Sequence, residues 1–263
     1  MLTTSVPPRR LLLALLAAAA GLSALSYAFH LATVGLGVDA PLVVSAAKFV
    51  DVNAETNLPS WYSTVLLTVV GLVVLDVARR AFARGERWRW HWAVLGAGFC
   101  YLSLDELVAL HERFVGPMSA LVGDSGIFKY AWVAAAAPVV LALFAVYARF
   151  LLALPRRTAA LVLLGGALYV GGSVGLEMVA NALSDAGFSE QGLLLGALQT
   201  LEEGCEMAGP AVFLFAVADL LQRRTGQPGT ADGTAGGTAG ATADVTVDVA
   251  DAAVARAAAS RAA

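Results

Sequence analysis

The stretch Leu193-Leu194-Leu195-Gly196-Ala197-Leu198-Gln199-Thr200-Leu201-Glu202-Glu203-Gly204-Cys205-Glu206-Met207-Ala208-Gly209-Pro210-Ala211-Val212-Phe213-Leu214-Phe215-Ala216-Val217-Ala218-Asp219-Leu220 decides the fold. At about 1.5 Å per residue it is long enough, as a helix, to cross roughly 30 Å of hydrocarbon. It nevertheless carries three glutamates in its first half. Working outward, apolar runs of about 20 residues begin near Leu11, Trp61, Trp92, Tyr130 and Thr158. Spans are therefore expected over 11–36, 60–78, 91–111, 130–154, 158–182 and 193–220, an all-α, polytopic transmembrane helix bundle. Composition agrees: 59% of the 263 residues are hydrophobic and 14% charged, with a mean hydropathy of +0.73.

The net charge of −3 says less than its distribution. Arg9, Arg10, Arg79, Arg80, Arg84, Arg87, Arg89, Arg149, Arg156, Arg157, Arg223 and Arg224 fall at alternate span ends, and the opposite ends hold only Lys48, Arg113 and Lys129. Cytoplasmic loops carry the excess of Lys and Arg, so both termini are expected in the cytoplasm and the chain in the cell membrane. Trp61, Trp88, Trp90, Trp92 and Trp132 stand at or near span ends, where interfacial aromatics belong. Arg9-Arg10 followed by Leu11–Ala20 resembles a signal peptide, but the apolar stretch runs on to Leu36, too long for that reading. Cys100 and Cys205 lie mid-span, without Cys-x-x-Cys or Cys/His zinc spacing, and read as small apolar residues.

Residues 1–10 form a cytoplasmic N-terminus, 11–220 the membrane domain, and 221–263 a tail rich in Gly, Thr, Ala and Asp that has little to bury and is expected to be disordered. Residues 37–60, the outer loop, are either a folded cap over the outer mouth or a solvated loop in which Pro59-Ser60 starts the second span.

A charged side chain at bilayer depth costs about 2.5–3.5 kcal/mol even on a lenient insertion scale. The third span holds Asp105 and Glu106, with His111 and Glu112 at its edge; the fifth holds Glu177; the sixth holds Glu202, Glu203 and Glu206. At about 100° per residue, Gln199, Glu202, Glu203 and Glu206 share one face. Ser173, Glu177, Asn181 and Ser184 share another, and Asp105 stacks with Glu112. Depth agrees with phase, since spans three and five run outward and span six inward, placing all these acids in the outer half. Glycines 165, 166, 171, 172 and 175 would let the fifth span approach its neighbours. A cavity between spans three, five and six, open outward, follows.

So many carboxylates could not all be ionised together in a low-dielectric cavity, so protons or a cation are expected there. The leading expectation is a divalent metal ion of unspecified identity on Asp105, Glu106, His111, Glu112, Glu177, Glu202, Glu203 and Glu206. Asp105, Glu106 and Glu203 are the candidate acid–base residues should the site be catalytic on a lipid-soluble substrate. The alternative is a proton- or cation-coupled transporter or channel, or a sensory or accessory subunit. Against transport stand the lack of an inverted repeat and of a Gly/Pro-broken helix pair. Any single acid, and His111 above all, also reads as a structural group at the headgroups. Asp76 and Asp219 read as ordinary interfacial charges beside arginines. The expected partners are the lipid bilayer and a small or lipid-soluble ligand, not nucleic acid; no oligomeric state follows.

The strings Phe49-Val50-Asp51-Val52-Asn53-Ala54-Glu55-Thr56-Asn57-Leu58-Pro59-Ser60-Trp61-Tyr62-Ser63, Leu102-Ser103-Leu104-Asp105-Glu106 with His111-Glu112, and Glu202-Glu203 with Glu206-Met207 resemble an uncharacterised group of bacterial multipass membrane proteins. The resemblance covers residues 11–220 and implies no activity.

Overall fold

The computed structural model describes residues 7–110, 113 and 132–226. Among them are eight α-helices and no strand. Helix α1 (Pro8–His30) continues into a π-helical segment, Leu31–Gly35, and is followed by α2 (Pro41–Val50), α3 (Leu58–Ala83) and α4 (Arg89–Val108). Then come α5 (Trp132–Ala153), α6 (Arg156–Val170), a second π-helical segment (Gly171–Leu176), α7 (Glu177–Asp185) and α8 (Leu193–Gly226).

Among the described residues, four of the six expected spans lie in continuous helical stretches long and apolar enough to cross a membrane: Pro8–Gly35, Leu58–Ala83, Arg156–Asp185 and Leu193–Arg224. Helix α4 has 20 residues, and its charged ends dilute its apolar character. Helix α5 has 22 residues, of which Pro138–Ala153 forms a shorter apolar stretch. Large apolar side chains point outward around the bundle; Leu72, Val94, Phe144 and Val146 are each more than half exposed. Such faces suit lipid, which leaves backbone polar groups no partner outside the helix.

Helix α3 packs along α4, while α8 packs against both α1 and α6. The core fills the arginine-bordered half. Val70, Val74, Val77 and Ala81 recur along one face of α3 and meet Trp92, Phe150, Phe213, Val217 and Leu220. Phe150 is the hub: the rings of Trp88, His91, Trp92 and Tyr147 surround it with centroids 4.9–5.8 Å away. Trp92 thus leaves the interfacial role expected of it and is buried, whereas Trp61 and Trp90 remain exposed. At the border of this half Asp76 pairs with Arg79 and Arg80, and Asp219 with Arg157 and Arg223, in keeping with ordinary interfacial charges.

Polar links between spans are few and short. Ser103, buried on α4, donates to the Thr64 carbonyl of α3 at 2.8 Å and lies 2.7 Å from Thr68 Oγ1. Tyr62 donates to the Leu15 carbonyl and Tyr147 to that of His91, each at 2.8 Å. Both cysteines are free. Helix α8 runs past residue 220 to Gly226, and the rest of the expected tail lies outside the described residues, as do Met1 to Val6.

Candidate functional site

Three helices bring acids to a pocket of about 570 Å³ at the end of the bundle away from the arginines. Helix α4 contributes Asp105 and Glu106 in its last turns and then stops, because Ala109 adopts a left-handed conformation (φ 50°) and donates its N–H back to the Asp105 carbonyl at 2.7 Å. A left-handed alanine costs about 1–2 kcal/mol. Glu177 opens α7 directly after the second π-helical segment; Ser173 precedes it and Asn181 and Ser184 follow it along the same wall. Helix α8 supplies Gln199, Glu202, Glu203 and Glu206.

The close approach of these elements depends on glycine. A Cβ on Gly165 would lie 2.8 Å from the Gly209 carbonyl oxygen, and one on Gly209 would lie 2.7 Å from that of Gly165. Farther along, a Cβ on Gly172 would sit 2.9 Å from the Glu202 carbonyl oxygen and 3.2 Å from Glu206 Cγ. Gly166, Gly171 and Gly175 face open space and play no such part. Gly209, which has no counterpart in the sequence-based expectation, is the partner that makes the crossing possible.

Residues 37–60 hold a helix and bond back to α1, which suits the cap reading, while Pro59 and Ser60 open α3 as the loop reading has it. Within them α2 ends at Val50, and the Val52 N–H donates to Ser26 Oγ of α1 at 3.1 Å. Asn57 caps α3 through reciprocal bonds with Ser60 and also donates to the Asp51 carbonyl at 2.6 Å. The cap brings Val52, Asn53, Ala54 and Glu55 to the pocket wall. Opposite, the α7–α8 turn adds Glu190, whose carboxylate accepts from Ser184 Oγ at 2.9 Å. Glu55 and Glu190 were not among the expected site residues. Glu190 lies in a short polar connection, where helical phase carries no information.

A second pocket of about 470 Å³ adjoins the first, for Val52, Asn53, Glu190 and Gln199 line both. His30 lies in its wall, with Nε2 buried and without a hydrogen-bond partner among the described residues; the ring occupies the space that a Cβ on Gly196 would need.

The expected metal centre is overturned. Among the described residues no group of three or more His, Cys, Asp and Glu side chains is placed to hold a metal ion. The acids are spread over the pocket wall and do not converge as the carboxylate cluster that a divalent ion requires. The sequence sets shared phase and depth, but coordination needs oxygens within about 2.0–2.6 Å of one point. His111 and Glu112 lie outside the described residues.

Long apolar helices, glycine crossings and a polar pocket between spans define an all-α, multi-pass membrane bundle. The chain belongs to the family described as Domain of unknown function (DUF8692), whose model matches residues 10–221. Comparisons with curated proteins and with solved structures gave no significant match.

Proposed function

We propose that this protein is a carrier of the cell membrane, with six spans and both termini in the cytoplasm, that couples movement of a small polar solute to protons held by Glu202, Glu203 and Glu206. Asp105, Glu106 and Glu177 share the pocket wall and join the same proton store. The observation that carries this reading is the abrupt change along α8. Glu202, Glu203 and Glu206 line the pocket, whereas Met207 and every residue from Gly209 through Val217 are buried.

Intramembrane acids mark proton and ion pathways, and carboxyl groups can lose their charge by taking up a proton. A pocket open at one end and closed by a packed half at the other suits a carrier better than a channel, which needs a continuous polar route. The two π-helical segments are local departures from α-helical pairing of the kind frequent at functional sites. Both border a pocket: Ser173 lies within one and lines the first, and Val34 lies within the other and lines the second.

The test is a pH step applied to full-length protein in proteoliposomes on a solid-supported membrane. Wild-type protein should displace charge as the acids load, and Glu203→Gln with Glu206→Gln should remove most of that signal. An unchanged signal in the double variant would overturn the reading.

A further inference from the structure

Asn181 stands one turn beyond Glu177 on α7, is only 2% exposed, and lines the first pocket. Its Nδ2 has no hydrogen-bond partner among the described residues. Buried amide donors are nearly always satisfied, and one left unpaired bears its full desolvation cost. The occupant that relieves it must bring an acceptor atom. A simple alkylammonium has none. The same pocket holds the carboxyls of Glu202 and Glu206, whose oxygens accept hydrogen bonds whether or not they carry a proton, and the Tyr169 hydroxyl, which can donate or accept. A volume of about 570 Å³ falls within the range of small-molecule sites.

We propose that the first pocket binds a small polyhydroxylated solute of the polyol or sugar class, with one hydroxyl oxygen accepting from Asn181 Nδ2 and neighbouring hydroxyls donating to Glu202 and Glu206. As the transported species it rests on the carrier reading; as a ligand it does not. Binding is measured by calorimetry on full-length protein in lipid nanodiscs, with glycerol, sorbitol, myo-inositol, glucose and trehalose as probes and methylammonium as the control. At least one polyol should bind and methylammonium should not. Asn181→Leu, which keeps the volume and loses the donors, should weaken binding about ten-fold or more. Should Asn181→Leu fail to fold, Asn181→Gln, which displaces the amide by a methylene, takes its place with the same expectation.

Absence of binding by all five probes, polyols and sugars alike, or equal affinity in the variant, would show that Asn181 meets only water and would overturn the site. A pH-step signal without polyol binding overturns this site alone. Polyol binding without a pH-step signal overturns the carrier reading and supports the site.

Discussion

The two halves of the bundle share α4 and α8 and are built by opposite means. Toward the arginines, α3, α4, α5 and α8 meet through interlocking rings and branched side chains around Phe150, with ion pairs of Asp76 and Asp219 at the border. Toward the cap, α4, α7 and α8 enclose a space, and carboxyl, amide and hydroxyl groups line it. One half holds the helices together and the other keeps them apart. A single helix such as α8 serves both, with the change falling between Glu206 and Gly209. Stability and function should therefore separate along each helix, not between helices.

The largest effect should come from Phe150→Ala, which empties the hub of the packed half and should cost about 3–5 kcal/mol in detergent unfolding while leaving polyol affinity intact. A variant that unfolds normally but loses binding would break the proposed division. Gly172→Ala tests the seam. Its new methyl meets the Glu202 backbone and the Glu206 side chain, so a loss of about 1–3 kcal/mol should accompany a reduced pH-step signal. Arg79→Ala should do least. Its guanidinium is 77% exposed and Asp76 keeps Arg80, so the change should stay below about 0.5 kcal/mol.

Much of this architecture was legible in the residues. Apolar length marked the helices, and a 3.6-residue period put Gln199, Glu202, Glu203 and Glu206 on one wall and Ser173, Glu177, Asn181 and Ser184 on another. Periodicity fixes a direction from each axis but not the distance between axes. That is why the acids share a pocket without forming the expected metal site. The same limit hid Gly209, whose role exists only against Gly165, and His30, a lone polar residue in an apolar run. The π-helical segments shift backbone hydrogen bonds with no sign in the hydropathy pattern. Glu55 and Glu190 reach the pocket through the fold of the cap and turn, which no helical wheel contains.

The crossing of Gly165 and Gly209 brings backbone against backbone, with Tyr169 and Phe213 packed at its edge. A contact this close makes the crossing a fulcrum on which one helix would tilt against the other. Glu177 lies about 18 Å farther along its helix, at roughly 1.5 Å per residue. A tilt of about 10° there would carry its backbone roughly 3 Å over that arm, enough to change which carboxyls face one another across the pocket, while Arg157, on the short arm, would move less.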